Sequence, residues 1–357
     1  MKSNYDILGN HIRLIDTRNR ESITDRVLGI NIDKFFMPSV ANVIGTDLSK
    51  YKLITKGKFA CNPMHVGRDE RLPVALYDEE EPAIVSPAYF MFEVVDNSIL
   101  NEDYLMMWFR RPEFDRICWL HTDGSVRGGI TWDDICRLEL PIPPIENQLE
   151  IVNSYKAITE RIALKQKIND NLDDTAQTLY QKYFESNSDK SSWKQGTVGD
   201  VLQLQRGHDL PRTEMTGGKY PVAGSTGTIG YHDEFTAEAP VIVMGRSGNI
   251  GNPRLYLCNC WTHNTSLYVK QIYEAEPLWV FYLLKNLNYD GFVGGSAVPT
   301  LNRNDVHAYG IAIPPLELQK FFSQKVMSLI YCKEENLSEI EKLQELQKII
   351  LTTMSSR

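Results

Sequence analysis

Two copies of one unit, offset by 171 residues, constrain the possible folds of this 357-residue chain more than any other feature. Residues 124–148 align without gaps to residues 295–319. The identities at this offset include Gly124, Ser125, Asp134, Ile142, Pro143, Pro144, Glu146 and Gln148. The starts of the copies are also similar, since Leu8–Ile12 resembles Val198–Leu202. A period this long is typical of a duplicated domain with its own core, because solenoid repeats are about 20–50 residues long.

Each copy ends in a long segment whose apolar residues lie three or four positions apart. Pro143-Pro144 precedes the first segment and Pro314-Pro315 the second, and neither segment contains an internal Gly or Pro. This pattern predicts two long amphipathic helices that begin just after the prolines. Because such helices need a partner for their apolar stripes, we predict that the two pack as an antiparallel coiled coil.

The regions before the helices combine short strands with turns. Pro240–Met244 and Ser266–Val269 are typical of buried strands, whereas Asp103–Phe109 and Pro277–Leu284 are typical of buried helices. The predicted fold class is therefore α+β, with a pseudo-twofold internal repeat. The predicted domains are a head at 1–141, a helix at 142–190, a second head at 191–310 and a second helix at 311–357.

The chain is acidic, with 38 Lys and Arg against 46 Asp and Glu, a net charge of −8. The four predicted domains carry net charges of −5, −2, −1 and 0 in chain order. Without a basic domain, strong sequence-independent binding to DNA phosphates is not expected. The chain lacks an apolar stretch of 18 residues and a signal peptide, so we expect a cytoplasmic protein. Its six cysteines are expected to be free thiols.

Catalytic motifs are missing from the sequence. Asn62–His65 lacks the second proline and the aromatic residue of a DNA adenine methyltransferase loop, and no P-loop or Gly-x-Ser-x-Gly elbow is present. Cys258 and Cys260, with His263 nearby, are compatible with metal binding, but no second ligand pair has suitable spacing. We therefore predict that the chain has no catalytic residues, no metal site and no cofactor of its own.

The arrangement of two heads and two helices resembles the specificity subunit of type I restriction–modification systems over essentially the whole chain. The strongest matches are Ile142–Gln148 and Ile313–Gln319 at the helix starts. Residues 241–251 and 261–265 look like strand and loop pieces of that family's target recognition domains. Looser counterparts in the first head are 58–64 and 83–89.

The resemblance implies a non-catalytic DNA reader with two target recognition domains. It also implies two methylation subunits, which use S-adenosylmethionine to methylate adenine N6, and two restriction and translocase subunits, which use ATP and Mg. Such a complex would cleave unmethylated foreign DNA. A protein with two similar heads is expected to bind a split site in double-stranded DNA.

The residues expected to contact DNA are polar or basic side chains on loops, because such side chains bind base edges and phosphates. In the first head they are Arg18, Asn19, Arg20, Lys34, Asn62, His65, Arg68, Ser125 and Arg127. In the second head they are Arg206, His208, Lys219, Ser225, Thr226, Arg246, Asn249, His263, Asn264 and Ser296. Other positions recur in both copies. Asp134 and Asp305 are expected to be turn or cap residues. Glu146, Gln148, Glu317 and Gln319 are expected to fix the helix starts or the subunit interface rather than to contact DNA.

Two other functions are compatible with parts of the sequence. The acidic charge and the missing catalytic motifs would also fit an interaction scaffold built on the helix pair without DNA readout. A scaffold does not require Arg- and Asn-bearing loops, which both heads contain. A chain that itself binds S-adenosylmethionine is a third possibility, and the missing methyltransferase loop argues against it.

Overall fold

A computed structural model describes residues 5–64, 66–122, 128–289, 293–294 and 300–354. The chain divides into two compact units. Unit 1 comprises Met1–Leu164 with Glu339–Arg357, and unit 2 comprises Lys165–Ser338. Each unit therefore contains one head and a part of both long helices. In the described part of the chain, no helix is long and apolar enough to cross a membrane.

Both long helices begin directly after the proline pairs, as predicted. The helices are α1 (Val66–Asp69), α2 (Glu102–Phe109), α3 (Pro112–Leu120), α4 (Trp132–Cys136), α5 (Ile145–Tyr180), α6 (Pro277–Asn286), α7 (Arg303–His307) and α8 (Leu316–Thr353). A π-helical turn, Gln181–Glu185, follows α5. The predicted buried helices correspond to α2 and α6, and both predictions are confirmed.

Unit 1 is built on short strands. They are β1 (Tyr5–Ile7), β2 (Ile12–Ile15), β3 (Val27–Ile30), β4 (Phe36–Pro38), β5 (Lys52–Ile54), β6 (Phe59–Cys61), β7 (Val74–Leu76), β8 (Ala83–Val85), β9 (Phe90–Val94) and β10 (Glu139–Pro141). One sheet has the order β2-β9-β6-β7 and a second the order β4-β3-β8-β5, while β1 pairs with β10. The α+β class predicted from the sequence is thus confirmed for this unit.

Unit 2 has a corresponding main sheet. Its strands are β11 (Lys194–Thr197), β12 (Leu202–Arg206), β13 (Tyr220–Gly224), β14 (Gly227–His232), β15 (Val241–Gly245), β16 (Gly251–Tyr256), β17 (Trp261–Thr262), β18 (Ser266–Ile272), β19 (Val293–Gly294), β20 (Thr300–Leu301) and β21 (Gly310–Ile313). The main sheet has the order β12-β18-β15-β16, a smaller sheet has the order β14-β13-β17, and two pairs are β11-β21 and β19-β20.

In the main sheet of each unit, the two strands that flank a central strand end beside its start, so their following loops lie at one edge of that sheet. In unit 2, β12 and β15 both pair antiparallel with the central β18, so Arg206 and Gly245 end beside the start of β18. In unit 1, β2 and β6 pair antiparallel with β9 in the same way, and Ile15 and Cys61 end beside its start. We call this side the turn edge of each sheet, and it is where loops can present side chains together.

The similarity between the starts of the two copies, Leu8–Ile12 and Val198–Leu202, has a structural explanation. Both contain a 3₁₀ turn with a central glycine. A Cβ atom on Gly9 would lie 2.9 Å from the carbonyl oxygen of Cys136, and one on Gly199 would lie 3.2 Å from that of His307. Cys136 and His307 are related by the 171-residue offset. Glycine thus permits the same close approach of turn and helix end in both units.

Within each unit, the long helices contact each other in antiparallel directions. In unit 1, Gln347 Nε2 donates to Thr159 Oγ1 at 2.7 Å. In unit 2, Asn336 Nδ2 donates to Asn169 Oδ1 at 2.9 Å, and both residues are buried. Asn336 Oδ1 also accepts from Lys165 Nζ at 2.9 Å. The helices also complete the core of each unit, for example through Phe322 of α8 in unit 2.

Candidate nucleic-acid interface

Four loops of unit 2 meet at the turn edge of its main sheet. They contain residues 206–209, 224–227, 245–250 and 262–266, and we call them the turn cluster. The loops are joined through backbone groups: Gly207 N–H donates to Ser266 O at 3.1 Å, and His263 N–H donates to Ala223 O at 2.9 Å. These loops are far apart in sequence, so it is the sheet that brings them together.

Thr265 lies at the centre of the turn cluster. Its carbonyl oxygen accepts from the N–H of Arg246 at 3.0 Å. Its Oγ1 accepts from the N–H of Ser225 at 3.3 Å and lies 2.9 Å from His263 Nδ1. A single threonine thus binds two of the other three loops and the histidine of its own loop. Thr265 lies in the segment 261–265 that resembles the family, but it was not predicted as a site residue, because its contacts join segments that are distant in sequence.

Two glycines allow the loops to approach so closely. A Cβ atom on Gly245 would lie 1.5 Å from the carbonyl oxygen of Asn249, and one on Gly207 would lie 2.2 Å from that of His263. No larger residue fits at either position without displacing backbone. Gly207 and Gly245 therefore set the packing of the cluster.

The structure brings together eight of the residues predicted for the second head. They are Arg206, His208, Ser225, Thr226, Arg246, Asn249, His263 and Asn264. Arg206 and Thr226 are exposed, and the other six are half-buried. The cluster thus offers guanidinium, hydroxyl, amide and imidazole groups at a single edge, which are the groups that contact base edges and phosphates.

Some of these side chains are engaged within the cluster. Asn249 Nδ2 donates to Ser225 O at 3.2 Å, and its Oδ1 accepts from Asn252 Nδ2 at 2.7 Å. Asn264 donates to Asp209, which also lies 3.9 Å from Arg206. Asp209 was not predicted from the sequence, and its charge offsets part of the positive charge at this edge.

Lys219 lies away from the turn cluster, at the opposite end of β13 from Ser225. Its Nζ is 5.3 Å from the centroid of the Tyr220 ring. It lines a groove of about 620 Å³ in unit 2, together with Arg254 and Lys285. Ser296, also predicted to contact DNA, lies outside the described residues.

In unit 1, the predicted residues follow strands that end at the turn edge. Arg18 and Arg20 follow β2, and Asn62 and Arg68 follow β6. Arg18 donates to Lys50 O at 2.8 Å and also contacts Asp16 at 2.6 Å.

The other described candidates of unit 1 differ in how far they are paired. Arg20 is exposed. Asn62 Oδ1 accepts from Met64 N–H at 3.1 Å, and Arg68 Nε pairs with Asp69 at 2.6 Å. His65, Ser125 and Arg127 lie outside the described residues.

Two predictions for unit 1 are wrong: Asn19 and Lys34 are structural residues. Asn19 is fully buried, and its Nδ2 donates to Thr24 O at 2.8 Å. Lys34 is 4% exposed and pairs with Asp115 at 2.7 Å. Burial lowers the pKa of Lys34, although Asp115 opposes this effect. Because both side chains are buried, neither can contact DNA. The sequence pattern could not show that their loops fold inward.

Residues of the repeated motif fix the helix starts. Gln148 and Gln319 are buried and bind the backbone next to the long helices. Asp134 and Thr131 form a capping box at the start of α4. The predicted helix-start role of Gln148 and Gln319 and the predicted cap role of Asp134 are confirmed. At the start of α7 the capping side chain is Asn302, not Asp305. Among the residues that the structure describes, no group of three or more His, Cys, Asp or Glu side chains could hold a metal ion.

Comparisons with known proteins agree with this architecture. Residues 190–349 match the family model for the type I restriction modification DNA specificity domain. The protein assigned as the type I restriction enzyme MjaX specificity subunit of Methanocaldococcus jannaschii is 21% identical over 396 residues, which cover 98% of this chain and 88% of that protein. This chain is thus similar to specificity subunits of type I restriction enzymes, through the family model in its second half and through a relative along nearly its whole length. The HindI specificity subunit of Haemophilus influenzae is 24% identical over 191 residues, or 53% of this chain and 40% of that protein.

A solved structure extends the similarity to the fold of a specificity subunit. The crystal structure of the type I restriction–modification S subunit from M. genitalium matches with a TM-score of 0.61 at 16% identity. The match covers 99% of this chain and 96% of the other. At this identity the likeness concerns the fold alone, and it does not indicate which residues of this chain contact DNA.

Proposed function

We propose that this chain is the sequence-specificity subunit of a type I restriction–modification complex and that it reads a bipartite DNA target. The observation that carries the proposal is the turn cluster, in which separate loops of unit 2 place polar side chains at one sheet edge. Unit 1 reads the other half-site with the loops after β2 and β6. In this view the chain has no catalytic role, and it directs the other subunits to their site.

The side chains of the turn cluster favour DNA reading over a scaffold role. A scaffold needs only surfaces for proteins, whereas hydroxyl, imidazole and guanidinium groups on a rigid edge suit the donor and acceptor pattern of the major groove. Arg206, Thr226, Arg246 and His263 are the proposed contacts in unit 2. Lys219 contributes at most to a phosphate. In unit 1 the proposed contacts are Arg18, Arg20, Asn62, His65, Arg68, Ser125 and Arg127.

The long helices are proposed to form an antiparallel coiled coil that relates the two heads by a pseudo-twofold. Support comes from the 171-residue offset and from the antiparallel contacts inside each unit, such as that of Asn336 with Asn169. A buried Asn pair in such an interface fixes the register of the helices at some cost in stability. The helix pair would then set the spacer between the half-sites.

The proposed complex contains two methylation subunits and two restriction and translocase subunits. The methylation subunits bind S-adenosylmethionine and methylate adenine N6 of host DNA. The restriction subunits use ATP and Mg to cleave unmethylated foreign DNA, and the whole complex acts in the cytoplasm. This chain binds none of these cofactors. Because it is acidic, the methylation subunits supply much of the phosphate contact.

The test is co-expression of the chain with the methylation subunit from the same locus. A stable complex should form and should transfer methyl groups from S-adenosylmethionine to adenines in a duplex library only at one split sequence. The methylation subunit without this chain is the control, and it should show no such preference. Failure to form a complex, or methylation without sequence preference, would refute the proposal.

A further inference from the structure

The hydrogen bonds around His263 determine which ring nitrogen carries its proton. The backbone N–H of Thr265 donates to His263 Nδ1 at 3.4 Å. A backbone N–H can only donate, so Nδ1 is an acceptor and carries no proton. In the neutral imidazole the proton then lies on Nε2.

The hydroxyl of Thr265 is consistent with this assignment. Its Oγ1 accepts from the N–H of Ser225 at 3.3 Å. Its own proton is therefore free to be donated to His263 Nδ1, which lies 2.9 Å away. The Thr265 side chain thus links the turn after β13 to the His263 ring, and it reinforces the same tautomer.

His263 presents its Nε2–H at the turn edge. The ring is half-buried, so its orientation is held, and the loop backbone is fixed by the bond from His263 N–H to Ala223 O. Within the described part of the chain, Nε2 has no hydrogen-bond partner, whereas Nδ1 has two. A held donor of this kind suits the acceptors of the major groove, which are purine N7, guanine O6 and thymine O4.

We propose that His263 is a specificity-determining residue that donates from Nε2 to a major-groove base acceptor in one half-site. Thr265 is its positioning residue: it fixes the tautomer and also holds the turns that carry Ser225 and Arg246. This inference rests on the proposed function and adds to it the chemical group that is read. Neither residue carries out a chemical step.

The first experiment compares variants in the complex with the methylation subunit, using a duplex library randomised in both half-sites. His263→Phe keeps a planar ring but has no donor. It should relax the preference at one or two positions of one half-site by about 5- to 100-fold, the discrimination expected of a base contact. The other half-site should keep its preference. An unchanged preference in both half-sites would overturn the proposal.

The positioning role is tested with substitutions of Thr265. Thr265→Val removes the hydroxyl at nearly constant volume and should relax the same positions as His263→Phe, whereas Thr265→Ser should restore the wild-type preference. Thr228→Val is the matched control, because Thr228 is exposed on β14 of the same unit. It should leave the preference unchanged. Equal behaviour of Thr265→Val and Thr228→Val would overturn the positioning role.

Base analogues identify the acceptor. Wild-type methylation should fall about 10-fold when 7-deazapurine, 6-thioguanine or 4-thiothymine replaces the base at the relaxed position. The His263→Phe complex should not respond to the same replacement. Equal sensitivity of both complexes would show that His263 is not the donor. If the wild-type complex methylates no split site, the proposed function fails first, so the two failures are distinguishable.

The tautomer has a direct readout that does not depend on DNA. In the full chain at neutral pH, the ¹⁵N chemical shifts of the His263 ring should show a protonated Nε2 and an unprotonated Nδ1. A proton on Nδ1 would contradict the inference.

Discussion

Gln319 accepts a hydrogen bond at Oε1 from the backbone N–H of Glu276 at 2.9 Å, joining the start of the second long helix to the start of α6. Its Nε2 donates to Pro314 O at 2.9 Å. Gln148 binds Asn101 N–H and Pro143 O in the same way in unit 1. The glutamine of the repeated motif therefore fastens each head to its helix, which explains why it occurs in both copies.

Replacing Gln319 by Leu should lower the free energy of unfolding by about 1–3 kcal/mol. The reason is that the N–H of Glu276 would be left without its acceptor in a part-buried place. Urea denaturation monitored by circular dichroism measures the change. Glu317→Ala, two residues away and exposed, is the control and should change stability by about 0.5 kcal/mol or less. Equal effects of both substitutions would contradict the assignment.

His307 should make unit 2 less stable as the pH falls below about 6.5, the usual pKa of histidine. Its Nε2 accepts from Leu204 N–H at 2.8 Å. Burial, aided by the charge of Arg303, lowers its pKa. The folded chain thus binds this proton less readily than the unfolded chain, so the stabilisation is present above the unfolded pKa and is lost as the pH falls.

Denaturation of wild type and His307→Gln between pH 8 and pH 5 tests this effect. Glutamine can still accept from Leu204 N–H but does not titrate, so the unfolding midpoint of the variant should fall less on acidification. Parallel pH profiles of the two proteins would show that His307 does not contribute.

A heptad inserted between Asn169 and Asp170 should change the spacer of the target or abolish methylation. The contact of Asn336 with Asn169 and that of Lys333 with Asp173 lie on either side of this point. Seven helical residues add about 10.5 Å, roughly the length of three base pairs. Sequencing of methylated sites measures the spacer.

The control insertion has two residues at the same point. It rotates the following part of the helix by about 200° and turns its apolar stripe away from the core. This variant should lose stability and methylation together. An unchanged spacer with the heptad insertion would argue against the proposed role of the helices as a ruler.

The isolated chain should bind nonspecific duplex DNA poorly at moderate salt. Its net charge is −8, and Asp209 lies within the turn cluster. Binding to phosphates requires clustered Lys and Arg and weakens steeply with salt. Fluorescence anisotropy with a labelled duplex measures the affinity, and the complex with the methylation subunit is the comparison. Tight binding by the chain alone would contradict the proposed division of phosphate contacts.

The sequence predicted the α+β class and the helices α2, α5, α6 and α8, but only part of the site. The prolines before α5 and α8 and the apolar runs of α2 and α6 are local signals, and these helices formed where predicted. Most of the polar loop residues predicted for unit 2 also lie together in the turn cluster. They could be predicted because glycine-rich turns between strands are recognisable in sequence.

Burial and pairing across distant segments could not be read in the same way. Lys34 resembles a surface lysine in sequence, yet its partner Asp115 is 81 residues away. Thr265 lies in the segment 261–265 that resembles the family, yet its role depends on loops that only the sheet brings together. Tertiary contacts of this kind decide whether a loop residue faces solvent or holds the fold.

Methylome sequencing of cells that express this chain with its methylation subunit tests the central claim most directly. The account predicts adenine methylation at a single split motif, with two short half-sites separated by unspecified bases of fixed number. Cells that express the methylation subunit alone should lack this motif. A motif in one uninterrupted block, or no motif at all with a stable complex present, would contradict the account.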